Sequence, residues 1–267
     1  MYRLVSVLVL LLGLATPSAA AGCGNTEAGF DTWLAGFKKQ ARAAGISKRT
    51  IDRSLNGVTY HKRVVRLDRS QKSFKLSFKQ FYARRVNNAM IRKGKRKMKQ
   101  NANTLRAIER RYGVDPEVIV AIWGLETNYG ANSGNMSVMR SLATLAFDCR
   151  RSKFFTNELF NALKIVQRGD MSPKAMRGAW AGEIGQTQFL ASSYIKFAVD
   201  GDGNGRRDLV RSVPDVLAST ANYLRAYGWR KGGGWQPGSA NYDVLKQWNR
   251  ASVYQKTIAV MASKLAQ

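Results

Sequence analysis

Asp115-Pro-Glu-Val-Ile-Val-Ala-Ile-Trp-Gly-Leu-Glu126-Thr-Asn-Tyr-Gly130 is the stretch on which both fold and chemistry turn. Asp115 suits an N-cap, Pro116 the first helical position and Glu117 the first turn, so a helix is predicted to begin here. At helical spacing Ile119, Ile122, Trp123 and Glu126 share one face, which sets a lone acid among bulky apolar side chains. Ionising that acid costs twice: it leaves water beside Ile122 and Trp123, and it sits in the last turn, where the helix dipole disfavours negative charge. A carboxylic acid that holds its proton near neutral pH is what protonation of a leaving oxygen requires, as in glycosidic bond cleavage. The plain alternative is a glutamate at a frayed helix end, bonded to Thr127 or Asn128.

Upstream, Phe30, Trp33, Leu34, Phe37, Ala41 and Ala44 recur at helical spacing up to Gly45, and a second short helix is predicted from Ser47. Thr59 to Gln71 is mostly polar and reads as a connector, with the chain's single histidine, His61, at the surface. No histidine-based catalysis is visible, since there is no second histidine and no convincing nucleophile beside this one. Phe74, Phe78, Phe81, Tyr82 and Val86 form an aromatic helix stripe, followed by the basic run Arg92 to Lys99. From His61 to Arg111 there are eighteen Lys and Arg against two acids. Aromatics among cations could stack on nucleic-acid bases, but a spacing of three and four is what a buried helix face requires. Leu105, Ile108 and Tyr112 continue as a helix that ends at Gly113.

Downstream, Met139 to Ala146 and Phe154 to Val166 carry compact helical patterns, the second broken by Gly169-Asp-Met-Ser-Pro173. Gly178-Ala-Trp-Ala-Gly-Glu-Ile-Gly-Gln-Thr-Gln-Phe-Leu-Ala-Ser-Ser-Tyr194 combines three glycines, two glutamines and aromatics. Glycine permits close backbone approach, Trp180 or another aromatic such as Tyr129 stacks on a sugar face, and glutamine amides bond hydroxyl or acetamido groups. A carbohydrate-binding wall and a glycine turn that lets two helices cross stand level here. Asp200-Gly-Asp-Gly-Asn-Gly-Arg-Arg-Asp208 spaces oxygen ligands as an EF-hand-like loop does, with the Arg206 carbonyl at position 7. Position 12 is Arg211 rather than Glu, so Asp215 would have to close the shell. Nearby arginines weaken the field for a cation, and a metal-free Asp/Asn/Gly turn is the alternative. Val213 to Tyr227 reads as a helix, Gly228 to Gly238 as a loop or small hairpin, and Asp243 to Trp248 and Ser252 to Leu265 as amphipathic segments. No internal repeat is visible.

Met1 to Ala20 has Arg3, an apolar run from Leu4 to Ala15 and a small-residue end, the pattern of a secretory signal peptide. About 245 residues remain after its loss, enough for one sizeable core or a core with a smaller lobe. With 44 basic and 17 acidic residues the net charge is +27. An exported chain of that charge meets anionic cell wall or membrane surfaces before nucleic acid. Cys23 has two fates open: acylation, since Ala20-Ala-Gly-Cys23 resembles a lipoprotein cleavage box, or a disulfide with Cys149, the only other cysteine. The disulfide is the expectation in an oxidising compartment.

Taken in order, Glu126-Thr-Asn-Tyr-Gly130, Gly178-Ala-Trp-Ala-Gly182, Gly185-Gln-Thr-Gln-Phe189, Ser192-Ser-Tyr194, the Asp200 loop, Ala221-Asn-Tyr223 and Gly228-Trp229 resemble the B-type lytic murein transglycosylases, from about Phe30 to the C-terminus. That resemblance implies a mainly α (α+β) fold: a lysozyme-like helical core at about 111–230, an N-terminal helical lobe at about 21–110, a C-terminal segment at 231–267 that packs back on the core, and a small, shortened β region. It implies cleavage of peptidoglycan between N-acetylmuramic acid and N-acetylglucosamine. Glu126 then acts as acid and base, the sugar's own C6 hydroxyl closes a 1,6-anhydro ring, and neither a second carboxylate nor a cofactor is needed.

By motif, Gln188 and Tyr223 match residues that hold the sugar, Asn249 and Tyr254 a segment that closes over the site, and Tyr82 a further cleft tyrosine. Asp200, Asp202, Asn204, Arg206 and Asp215 match a structural calcium loop with one extra residue before Asp215. Ala179 departs from relatives that carry a serine there, and the chain between Trp229 and Trp248 is shorter than in many. Peptidoglycan strands are the expected partner, for a monomeric periplasmic or secreted protein. The alternatives are a muramidase-type hydrolase, for which Glu183 is the available second acid, and a non-catalytic wall-binding protein.

Overall fold

The structure, a computed structural model, describes residues 22–71 and 76–267, so the signal-peptide reading and Phe74 lie outside the described residues. The elements in order are α1 (Phe30–Ala43), α2 (Lys48–Leu55), α3 (Lys62–Arg69), α4 (Phe78–Arg85), α5 (Asn88–Gln100), α6 (Ala102–Tyr112), α7 (Pro116–Thr127), β1 (Met136–Ser137), α8 (Val138–Phe147), α9 (Ser152–Gln167), β2 (Arg177–Gly178), α10 (Ala191–Phe197), α11 (Val213–Ala226), α12 (Leu245–Trp248) and α13 (Ser252–Ala266). The fold is mainly α, with one two-stranded sheet among the described residues.

Helix α7 is the axis. Every residue from Val118 to Leu125 is buried, so the helix has no solvent face between its first and last turns. Each Val or Ile side chain enclosed in this way contributes on the order of 1.5–3 kcal/mol. Helices α5, α6, α11 and α13 surround it. At Gly124 a Cβ would come within 2.8 Å of Met261 Cε and 2.9 Å of the Tyr129 ring, so glycine sets how closely α13 approaches. The predicted start at Pro116 stands, but Asp115 makes no side-chain cap bond. Its carboxylate accepts instead from Trp229 Nε1 at 3.1 Å, tying the start of α7 to the loop after α11.

Helices α1, α2 and α3 pack on α8 and α9. Phe30 and Trp33 meet Phe147, while Phe37 meets Phe160. Cys23 and Cys149 form a disulfide across 126 residues of chain, and the Gly24 amide donates to the Phe147 carbonyl beside it. The polar connector expected at 59–71 contains α3. Its Val64 and Val65 are buried, and its buried Asp68 pairs with Arg150 and Arg151 of the α8–α9 junction. Two valines in eight residues are too few to show as a period, and the tertiary ion pairs that help hold the helix are not visible locally.

Strand β1 pairs antiparallel with β2, Met136 opposite Gly178 and Ser137 opposite Arg177. Single bridges then join Gly178 to Ile184 and Ile184 to Phe189, folding the glycine–glutamine stretch into a compact turn. The small β region is therefore here, among the described residues, and not in the loop after Trp229. One hydrophobic cluster runs from Phe30 to Leu265. No helix of the described residues is long and apolar enough to cross a membrane.

Candidate active site

The chain reverses directly after Glu126: Asn128, Tyr129 and Gly130 have φ of 52°, 61° and 83°. Two bonds anchor this turn to the glycine–glutamine segment and a third closes the turn on itself. Thr127 Oγ1 donates to the Gln186 carbonyl at 2.6 Å, the Gly130 amide donates to Thr127 Oγ1 at 2.9 Å, and Trp123 Nε1 donates to Gln186 Oε1 at 2.9 Å. The acid thus sits where a buried helix meets a tightly held turn.

Glu126 Oε1 accepts from Trp248 Nε1 at 2.9 Å and from the Tyr254 hydroxyl at 2.7 Å. Among the described residues no bond is made to Oε2. Arg85 donates to the Leu125 carbonyl at 2.7 Å and also to the Tyr254 hydroxyl. Burial raises the Glu126 pKa above the ordinary carboxylate value. The two donated bonds and the Arg85 charge act in the opposite direction, and burial outweighs them. Tyr254 is also pushed up, first by its own burial and then by the Glu126 charge, so its hydroxyl stays a donor. A half-buried acid with one oxygen held and the other unbonded is arranged to deliver a proton.

Two cavities meet at Glu126. One, of about 350 Å³, is lined by Glu183, Thr187, Gln188, Phe189, Tyr223, Trp248 and Asn249. The other, of about 690 Å³, is lined by Arg84, Arg85, Lys93, Arg96, Asn87, Asn128 and Asn132, with Glu126 as its only acid. The cleft is basic on one side of the acid and carries a second carboxyl on the other.

The family described as transglycosylase SLT domain matches residues 29–239. The chain belongs to this family. Membrane-bound lytic murein transglycosylase B of Escherichia coli (strain K12) is 42% identical over 122 residues, which is 45% of this chain and 34% of that protein. The match thus spans about a third of the curated relative's length. SltB3 from Pseudomonas aeruginosa, crystallised with NAG-NAM-pentapeptide and with NAG-anhNAM-pentapeptide, is 33% identical. Its TM-score is 0.85, covering 89% of this chain and 79% of that one. The Escherichia coli lytic transglycosylase Slt35, solved in complex with calcium, shares the fold at a TM-score of 0.77 and 22% identity, over 93% of this chain and 97% of that one.

In this SLT-family chain the cleft brings together Glu126, Gln188, Tyr223 and Asn249. Gln188 takes φ 55°, and its amide donates to the carbonyls of Gly185 at 2.7 Å and Ser133 at 3.1 Å. The Tyr223 ring meets Phe189 and Trp248 edge-on, and its hydroxyl donates to the Gln247 carbonyl. Asn249 Oδ1 accepts from the Ala251 amide at the start of α13.

Four expected contact residues are absent from both cavity linings. Tyr129 is buried with its ring edge-on to Trp123 and its hydroxyl on the Met90 carbonyl at 3.0 Å, so it packs α5 against α7. Trp180 is half-buried against the core, outside both cavity linings. Tyr82 also lies outside them, with the Lys264 ammonium 5.4 Å from its ring and its buried hydroxyl without a hydrogen-bond partner among the described residues. Tyr254 is 4% exposed and contacts the acid, which makes it a positioning residue for Glu126. The sequence reading missed Trp248 and Arg85 as partners of this group. Their only local signals are an aromatic at the end of a short amphipathic segment and one arginine among many.

The Asp200 loop places carboxylate oxygens of Asp200, Asp202 and Asp215 within 4.8 Å of one another. The backbone is wound around them: amides of Gly203 and Gly205 donate to Asp200, that of Asn204 to Asp200 and Asp202, and those of Gly201 and Asp208 to Asp215. No Lys or Arg pairs with the three acids among the described residues, and the nearby Arg207 pairs with Asp170 instead. Converging carboxylates without a counter-cation fit a divalent ion with oxygen preference. Asp208 is not in the cluster, because its carboxylate caps the amides of Val210 and Arg211.

Proposed function

We propose that this protein is a lytic transglycosylase that cleaves the β-1,4 bond between N-acetylmuramic acid and N-acetylglucosamine in peptidoglycan. The observation that carries the reading is Glu126, whose pKa burial raises, held by Trp248 and Tyr254 at Oε1, without a bond to Oε2 among the described residues, and in the lining of both cavities. The acid gives its proton to the bridging O4 as the C1–O4 bond breaks. The resulting carboxylate takes the proton of the C6 hydroxyl as O6 bonds to C1, so the 1,6-anhydro ring closes, no water is consumed and Glu126 regains its proton. Gln188, Tyr223 and Asn249 hold the sugar beside it. Zymography on murein tests this: wild type clears the gel and Glu126→Gln does not, whereas clearing by Glu126→Gln overturns it.

One observation favours a second reading. Glu183 lines the same cavity as Glu126, and paired carboxyls are the usual equipment of a hydrolase.

The basic cavity suits the carboxylates of the wall's stem peptides through charge-assisted bonds from Arg84, Lys93 and Arg96. With the net charge of +27 it supports an exported, periplasmic protein that works as a monomer on an anionic wall rather than on nucleic acid. The Asp200 loop binds structural calcium, held by Asp200, Asp202 and Asp215 with Asn204 and the Arg206 carbonyl. The ion neutralises the clustered acids and takes no part in the reaction.

A further inference from the structure

Glu183 is the second carboxyl group of the smaller cavity. Its Oε2 accepts from the Ala181 amide at 3.1 Å, and no side chain bonds to it among the described residues. The backbone beneath it is fixed. Ile184 bridges both Gly178 and Phe189, and a Cβ on Gly178 would lie 1.7 Å from the Glu183 carbonyl oxygen, so the segment closes on itself only with glycine there. Thr187, in the same wall, is 1% exposed and its hydroxyl has no hydrogen-bond partner among the described residues. A rigid wall with polar capacity left unmet is what a polar ligand completes, because buried donors and acceptors are costly to leave unpaired.

We infer that Glu183 is a substrate-binding residue whose carboxyl hydrogen-bonds the acetamido group of the sugar seated against Gln188, Phe189 and Tyr223. This rests on the peptidoglycan reading above. Burial raises the Glu183 pKa against the bonds from its own and the Ala181 backbone amides, with the Glu126 charge adding to the rise and the Arg151 charge opposing it. A neutral carboxyl both donates and accepts, as an amide partner requires. It leaves Glu126 as the sole proton-transfer group, and the cavity then needs no second ionised acid.

The test uses the catalytically silent Glu126→Gln protein and a peptide-bearing tetrasaccharide of alternating N-acetylglucosamine and N-acetylmuramic acid, with binding read by calorimetry. Adding Glu183→Ala should weaken binding by about three- to ten-fold, the loss of one hydrogen bond, and Glu183→Gln should recover most of it. In the active background the Glu183→Ala loss should fall on KM more than on kcat. Glu183→Leu, which keeps the volume, serves as a second apolar variant, and melting curves confirm folding. Unchanged affinity in both apolar variants overturns the inference while leaving the transglycosylase reading intact. A Glu183→Gln enzyme that binds normally but turns over no better than Glu126→Gln overturns it in favour of a paired-acid mechanism. A Glu126→Gln protein that binds no tetrasaccharide, beside a wild type that leaves murein uncut, overturns both readings.

Discussion

Tyr254→Phe removes one oxygen from the site and nothing else: the ring keeps its place beside Phe81, 5.9 Å between centroids, and Arg85 keeps its bond to the Leu125 carbonyl. What is lost is the 2.7 Å bond from the hydroxyl to Glu126 Oε1, together with the bond the hydroxyl accepts from Arg85. That donor favours the ionised carboxylate, so without it burial raises the Glu126 pKa further. A hydrogen bond to a charged group is worth about 1.5–3 kcal/mol, and about 1.4 kcal/mol corresponds to one pH unit. The proton is required at the start of the reaction, so activity falls as pH rises through the Glu126 pKa. In Tyr254→Phe that alkaline limb should move up by about one to two pH units. The plateau rate should drop, because a weaker acid protonates the leaving oxygen less readily. The assay is kcat/KM against pH on a soluble murein fragment. An alkaline limb that stays in place or moves down would refute the reasoning, since burial would then not be what the hydroxyl opposes.

Calcium in excess should raise the melting temperature of metal-stripped protein, because the Asp200 loop binds it only when folded; an unchanged curve at millimolar calcium contradicts the site. Cys23→Ser should lower the melting temperature by about 10 °C, since closing a loop this long contributes about 4–5 kcal/mol in the chain-entropy model; a shift under about 2 °C contradicts that. Glu126→Gln should gain stability over wild type as pH rises from the ordinary carboxylate value to the raised one, because over that window the folded wild type binds more protons than the unfolded chain. Parallel stability curves for the two proteins across that range oppose the burial argument. Adsorption to murein should weaken with salt, as exposed charges are screened within about 8 Å at physiological ionic strength, and salt-independent adsorption points to the sugar cleft alone.

The local signals that were legible are those with a chemical reason at one position. Pro116 sets the start of α7, Gly113 takes φ 68° at the end of α6, and the spacing of Phe30, Trp33, Leu34 and Phe37 marks the buried face of α1. Glu126 was singled out through its apolar neighbours, although the helix between its first and last turns is buried on all sides, so the one-face argument rests on a pattern the fold does not keep. What could not be read depends on distant chain. Asp115 as a partner of Trp229, Asp68 as the anchor of α3, and Trp248 and Tyr254 as donors to Glu126 span separations of 82 to 128 residues. Tyr129 and Trp180 illustrate the opposite failure. An aromatic next to a functional motif has the composition of a sugar platform, but whether its ring faces the cleft or the core is settled by backbone direction, here the positive φ of Tyr129 itself.

The central claim is that one acid performs both proton transfers with the sugar's own hydroxyl as nucleophile, and the mass of the released muropeptides tests it most directly. The account predicts products that end in 1,6-anhydro-N-acetylmuramic acid, each lighter by one water than its hydrolytic counterpart and lacking a reducing end, with no release by Glu126→Gln. Reducing-end muropeptides from the wild-type protein would contradict it and would make Glu183 the partner of Glu126 in hydrolysis.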